Sequence, residues 1–386
     1  MAVNKFDNSM FDAGTIGTTA NKLVQLDGSA KIPTVDGSLL TGIPSTFTKS
    51  ASDPTISTNP SGGVGTMWVN TTSGETYCCT DATAGANVWT NVGAGTDNIP
   101  VNWDYGGTLN GYHHGGYTTG SGSNLIQYYS FTSDGSAVDS TGNLTSTTAW
   151  TSAASNGDHT YGYRLGGWSG LNVIDKYQFG TGNDATDVGD CVSSGNHGTG
   201  NASATYAYTI GGSPSTIEKT AFASDANATS VGTGGRGHGT YTGFSSSTHG
   251  YAAGGSDGIS QIDRWTFASD GNSTDVGDLT VGGYGAGGHS SDSAGYRTGG
   301  YSTPSYFNII EKMPFATETT VDHGADLTRS PDTAGSNSSL TNGYSCGGAY
   351  GGFQSDIDKF PFATSTNATD IGNLVLARTG LNGCGQ

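Results

Sequence analysis

Apolar and polar positions alternate in short bursts along this chain, and the bursts recur. The clearest burst reads Gly-Tyr-x-x-Gly-Gly: Gly111-Tyr112 to Gly116, Gly162-Tyr163 to Gly167, Ala207-Tyr208 to Gly212, Gly250-Tyr251 to Gly255, Gly295-Tyr296 to Gly300 and Gly343-Tyr344 to Gly348. Starts at 111, 162, 207, 250, 295 and 343 give spacings of 51, 45, 43, 45 and 48 residues. After each Gly-Gly and a variable loop comes a second burst, such as Val-Ile-Asp-Lys-Tyr-Gln-Phe (173–179) or Ile-Glu-Lys-Met-Pro-Phe (310–315). Isoleucine and aromatics mixed with single charges over so short a run predict a strand, not a helix. A polar turn ending in Val-Gly or Ile-Gly follows, as in Thr186-Asp187-Val188-Gly189, and the remainder of the period supplies one further strand.

Four short strands per period in the forties, with turn glycines and aromatics in register, predict the blades of a β-propeller. The fold expected is all-β: a six-bladed kelch-like propeller over 100–386, preceded by a small β-module at 47–99 and an extended attachment segment at 1–46. The paired glycines are expected on the crowded innermost strands, where close backbones exclude Cβ. Pro before Phe315 and Phe362 predicts an outer strand, where a missing N–H removes no ladder bond. Leu376–Gly383 matches the stretch that opens a unit without its Gly-Tyr, so it is expected to pair beside Gly111–Gly116 in the first blade and close the ring, leaving no free edge.

Composition narrows the function. Only 33% of the residues are hydrophobic and 12% charged, but 10% are aromatic and recur in register, which argues for repetitive β structure over disorder. Net charge is −18 and the 14 Lys and Arg are scattered singly, which disfavours nucleic acid as a partner. No apolar run is long enough to span a bilayer and the N-terminus lacks a signal-peptide core, so neither membrane insertion nor Sec secretion is expected. Five cysteines (78, 79, 191, 346, 384) without metal spacing are read as reduced thiols, with a Cys346–Cys384 bridge at the closure left open. The Asn-x-Ser/Thr sites at Asn201, Asn227, Asn272 and Asn367 are read as turn chemistry.

Before the repeats, residues 17–43 carry single apolar residues punctuated by Asp-Gly turns, a piece that needs a partner or copies of itself to form a core. Residues 47–96 predict a three-stranded meander carrying Trp68 and Trp89 on one face. Both segments resemble those of tail-fibre and virion-appendage proteins of tailed, marine-type bacteriophages. The matching stretches are Asn21-Lys22-Leu23-Val24-Gln25-Leu26-Asp27-Gly28, Asp36–Gly42, Gly65-Thr66-Met67-Trp68-Val69-Asn70 and Asn87-Val88-Trp89-Thr90. The repeats resemble the kelch type attached to such proteins, without a regular Trp after the Tyr strand. The resemblance implies a virion component assembled in the host cytoplasm, trimeric and joined to other tail proteins through its N-terminal part, that contacts a glycan or protein of the host surface.

Sharper chemistry fares less well. Arg164 and Arg297 share one repeat position, but their partners in the other units are His113, Thr209, Ala252 and Ser345, and no sialidase-type turn accompanies them. Polar packing between blades is the expected role, and no enzyme activity is assigned. Ordinary turns account for the Asp/Asn clusters, so no metal and no cofactor is expected. Histidines such as 113, 114, 197, 238 and 289 have different repeat offsets and predict no ligand ring. The variable loops after Gly-Gly carry Tyr117, Trp168, Tyr301, Tyr306, Phe307, Tyr350 and Phe353, and these aromatics are the candidate ligand-binding residues. The function expected is host recognition and adsorption by a phage structural protein. The alternatives are a passive decoration subunit contacting other virion proteins, and a polysaccharide depolymerase.

Overall fold

The computed structural model describes residues 47–93, 106–168, 170–194, 199–211, 215–235, 242–255 and 258–386. The attachment segment 1–46, Gly212 of the third Gly-Gly, Arg236, His197 and His238 lie outside these. The described residues contain no α-helix, and their strands assemble into four-stranded sheets. The chain divides into two compact units, Met1–Ile99 and Pro100–Gln386.

In the first unit Met67–Asn70, Thr76–Asp81 and Val88–Gly93 form the expected antiparallel meander. A fourth strand, Phe47–Ser50, adds in parallel to Met67–Asn70. Trp68 and Trp89 meet edge to face at 5.8 Å. Their indole N–H groups donate to the carbonyls of Ser52 (2.9 Å) and Thr58 (3.3 Å), which pins the irregular segment after the added strand across the rings.

The described residues of the second unit form six four-stranded antiparallel sheets and one short hairpin. In the second sheet the strands are Ser152–Ser155, Tyr161–Gly167, Leu171–Gln178 and Thr186–Asp190, in that order. Sheets three to six repeat the plan. The first sheet differs in taking its first strand, Thr379–Gly385, from the far end of the chain, paired with Asn110–Thr118 so that Leu381 lies opposite Gly115 and Gly385 opposite Gly111.

Three details of the strand assignment differ from expectation. The first strands of the sheets are the small-residue segments preceding Gly-Tyr, not the Gly-Tyr strands. They include Ser152–Ser155, Thr242–Ser245, Gly287–Ser290 and Gly335–Ser338, and first-strand residues from all six sheets line a cavity of 130 Å³. Hydroxyls stitch neighbours there: Ser245 N donates to Ser290 Oγ and Ser290 N to Ser338 Oγ, both at 3.0 Å. The Gly-Gly pairs instead adopt the left-handed region, where a side chain would be strained: φ 65° and 101° at Gly299 and Gly300, just past the second strand of the fifth sheet, and 63° and 99° at Gly115 and Gly116, where the register of Asn110–Thr118 shifts. Pro314 and Pro361 sit on third strands, not outer ones. They are tolerated because they lie past Lys312 and Lys359, which make the last pairings of those strands with the fourth strands.

The glycine of Gly-Tyr has a packing cause. A Cβ on Gly162 would lie 2.5 Å from the Tyr177 ring, its register partner, and one on Gly343 would lie 2.3 Å from Phe360. The third sheet alone has alanine here, Ala207, and its partner is the small Thr220. Glycine thus leaves room for a ring on the adjacent strand.

The repeated tyrosine and phenylalanine have a joint purpose. The tyrosine of each sheet packs on the phenylalanine of the next. Ring centroids are 4.5 Å apart for Tyr112–Phe179, 5.0 Å for Tyr163–Phe222, 4.7 Å for Tyr208–Phe267, 5.4 Å for Tyr251–Phe315 and 4.6 Å for Tyr296–Phe362. Tyr344 of the sixth sheet meets Phe131 of the first at 4.8 Å. Each such pair adds about 0.5–1.5 kcal/mol beyond area burial.

The turn asparagines cap the neighbouring sheet: Asn227 Oδ1 accepts from Asp190 N, Asn272 from Thr233 N and Asn367 from Asp326 N, each at 3.0 Å. On the third strands of four sheets a buried side chain also grips the chain arriving from the preceding sheet. Glu218 accepts from the N–H groups of Val192 and Ser193 (2.7 Å each), Glu311 from Thr280 N (2.6 Å), Asp358 from Thr328 N (3.0 Å), and Gln127 from Val375 N (2.8 Å). The recurring acid of the Ile-Asp and Ile-Glu bursts is therefore a structural clamp.

Candidate functional site

The loop aromatics collect where the first strands begin. Tyr117, which lies on the strand Asn110–Thr118 and not in a loop as expected, stacks on Trp150 (5.6 Å) and meets Trp168 and Phe353 edge-on at 5.7 and 6.0 Å. A second set runs Tyr284–Tyr301 (5.4 Å), Tyr301–Tyr306 (4.6 Å) and Tyr306–Tyr350 (5.3 Å). Tyr350 and Phe353 share one turn, bridged between Ala349 and Phe353, so the two sets are continuous. The hairpin Tyr301–Ser302 with Ser305–Tyr306 presents two of the rings.

Side chains in such loops usually fold under, yet Trp168, Tyr306 and Tyr350 remain 41%, 42% and 54% exposed. The result is an aromatic surface of six or more rings held by ring-to-ring contact, with flat faces and phenolic hydroxyls available to a ligand. Phe307 stands apart from it: its ring lies 5.6 Å from the Arg297 guanidinium and serves packing.

Sequence reasoning missed Trp150, Tyr284 and Asp332. All three lie just before a first strand and not after a Gly-Gly, so the loop rule passed over them. Asp332 pairs through its backbone with Ala349, beside Tyr350, and its Oδ1 packs on Gly285, beside Tyr284. That oxygen is buried without a hydrogen-bond partner, and burial pushes the carboxyl up to about 6. Asp332 is thus a buried carboxyl with raised affinity for a proton, next to Tyr284 and Tyr350 in the chain contacts that hold it.

Other candidates are accounted for within the walls. Arg164 is fully buried and donates to Asp175 at 2.6 Å, and Arg297 is bound to Glu311 at 2.9 Å with both side chains 1% exposed. Neither is free to bind an anion. His113, His114 and His289 are buried, and burial pushes the first down to about 3 and the last to about 4, so all three are neutral near pH 7. His289 is held between the carbonyl of Asn337 (2.8 Å) and Thr298 Oγ1 (2.9 Å).

Among the described residues no His, Cys, Asp and Glu side chains are grouped closely enough to hold a metal ion. The five cysteines are free thiols. Cys346 faces Tyr129 at 3.6 Å and Cys384 faces Tyr177 at 3.2 Å, in different clusters, so the bridge left open by the sequence does not form. No protein-family model matches the chain, and no curated protein matches it.

Proposed function

We propose that Pro100–Gln386 is a six-bladed, kelch-like propeller closed by its C-terminal strand, and that it is the host-recognition part of a phage tail fibre or virion appendage. The closed architecture is supported by the order of contacts: every sheet packs its tyrosine on the next sheet's phenylalanine, the sixth packs on the first, and all six first strands face one cavity. Attachment through residues 1–46, as a trimer, is the part of the reading carried by the tail-fibre resemblance.

The observation that carries the recognition role is the exposure of Trp168, Tyr306 and Tyr350 on one continuous aromatic surface. Rings of this kind stack on sugars and anchor protein contacts at small entropic cost. Several copies on one particle multiply weak contacts. The test is adsorption of the full chain, displayed multivalently on beads, to a panel of marine bacteria and their purified surface polysaccharides. Wild-type beads adhere to at least one, and beads carrying Trp168→Ala with Tyr350→Ala lose most of that adhesion. Absence of adhesion to any member of the panel, or adhesion indifferent to both substitutions, overturns the proposal.

A further inference from the structure

The boundary between the first and second sheets departs from the repeat at three positions, and all three departures open space in the same place. Elsewhere the fourth strand sends a bulky side chain into the boundary: Val188, Val231, Val276 and Ile371 pack into the apolar clusters there, and His323 packs on Tyr296 at 5.5 Å. The first sheet has Ser140 at this position. Elsewhere the third strand carries a cation beside the acid position, namely Lys176, Lys219, Arg264, Lys312 and Lys359. Four of these five bind a turn carboxylate of the next sheet: Asp225, Asp270, Glu318 and Asp134. The first sheet carries Tyr128 in its place, and the turn of the second sheet has Gly182 in the place of the acid.

The outcome is a cavity of 280 Å³ lined by Tyr128, Ser140 and Gly182 together with Tyr112, Asp139 and Asn183. Tyr128 stacks on Tyr112 at 5.2 Å and 25°, so two rings back one another and present an aromatic wall. Asp139, Asn183 and the backbone of a glycine-rich turn complete the lining; Asp139 Oδ1 accepts from Thr141 N at 2.7 Å, which leaves Oδ2 for a ligand. Cations are missing from the lining, which disfavours an anionic ligand. The volume falls just below the roughly 300 Å³ at which drug-sized sites begin, so the space suits a single small ring.

We infer that this cavity is a binding site for one neutral sugar ring, stacked on Tyr128 and hydrogen-bonded through Asp139 and Asn183. It is separate from the aromatic surface of the loops and does not depend on that surface's role. The stacking takes the apolar face of the sugar, and the carboxylate accepts from its hydroxyls. Three departures coincide at this boundary alone; at the other five the fourth-strand side chain fills the gap and at four of them an ion pair also bridges it, which distinguishes a built site from a packing defect.

The experiment is saturation-transfer NMR on the full chain with the methyl glycosides of glucose, galactose, mannose and N-acetylglucosamine. At least one gives a signal with the wild type. Ser140→Val installs the residue found at this place in the second, third and fourth sheets, so it leaves the melting temperature unchanged or higher while weakening binding about tenfold or more. Tyr128→Lys, which restores the repeat's cation, has the same effect and serves if the valine variant does not fold. Tyr350→Ala leaves the signal intact. Silence from all four glycosides, a signal that survives the cavity-filling variants, or one removed by Tyr350→Ala overturns the assignment.

Discussion

Replacing Gly162 by alanine tests whether the glycine of Gly-Tyr exists to admit a ring. The added Cβ would sit 2.5 Å from Tyr177 Cζ and 2.6 Å from its hydroxyl oxygen. The ring cannot retreat: Tyr177 is 3% exposed, and its hydroxyl is engaged by His114 Nδ1 at 3.0 Å and Cys384 Sγ at 3.2 Å. Overpacking of this kind costs about 1–3 kcal/mol. At roughly 2–4 °C per kcal/mol for a unit of this size, the melting temperature of Gly162→Ala falls by about 2–12 °C. The third sheet supplies the control, because Ala207 already faces Thr220. Copying that pair into the second sheet, as Gly162→Ala with Tyr177→Thr, is therefore expected to be no less stable than Tyr177→Thr alone, although Tyr177→Thr itself costs about 3–5 kcal/mol. The cycle then shows a coupling of about 1–3 kcal/mol, measured by thermal and urea unfolding of the four proteins. Additivity within about 0.5 kcal/mol would refute the steric account and leave strand propensity as the cause of the glycine.

Further predictions follow from the buried groups and from the first sheet. Asp175→Asn leaves the guanidinium of Arg164 uncompensated in a fully buried site and lowers stability by about 3–5 kcal/mol, whereas Lys359→Ala, whose partner Asp134 is half-exposed, changes it by less than about 1 kcal/mol. His113 and His289 hold fewer protons folded than unfolded between their lowered values, about 3 and 4, and the ordinary 6.5. Their contribution is complete above pH 6.5 and is lost on acidification, by about 2 kcal/mol for each at pH 5, so His289→Gln flattens the pH profile of the melting temperature between pH 7 and 5. Asp332 acts in the opposite sense. Its raised value, about 6, makes its folded form the better proton binder, so stability falls as pH rises from 4 to 6 and Asp332→Asn is the more stable protein above pH 6. Truncation after Leu376 removes the strand paired with Asn110–Thr118 and leaves that strand as an edge, so the shortened chain aggregates on size-exclusion chromatography; a soluble monomer with unchanged melting temperature would contradict this.

Much of the architecture is written locally. Gly-Tyr, Ile-Asp-Lys and Thr-Asp-Val-Gly are strand-forming runs that recur every 43 to 51 residues, and the first turn-flanked Trp pair marks the small sheet. The first strands were harder to place because Ser-Ala-Ala-Ser or Gly-Ser-Asn-Ser has no strand propensity. They are strands because small side chains let neighbouring backbones come together around the shared cavity. Phe47–Ser50 was missed for a similar reason: it is a lone polar edge whose partner lies across an irregular stretch. Exposure of Trp168 and Tyr350 could not be read from sequence, since Phe307, also an aromatic in a segment after Gly-Gly, packs on Arg297. Asp332 carries no local signal either; its raised proton affinity comes from Gly285 and Ala349, distant in sequence.

The handing of a tyrosine from each sheet to the phenylalanine of the next makes every boundary directional, with a different surface on each side. Interfaces of this head-to-tail kind either come full circle or propagate without limit. In the closed ring proposed above, the meeting of Tyr344 with Phe131 ends the series within one chain. A variant lacking one whole repeat would offer an unanswered tyrosine face at one end and an unanswered phenylalanine face at the other. Such molecules would join end to end into filaments, so the number of repeats governs whether this protein stays a discrete particle or becomes a polymer.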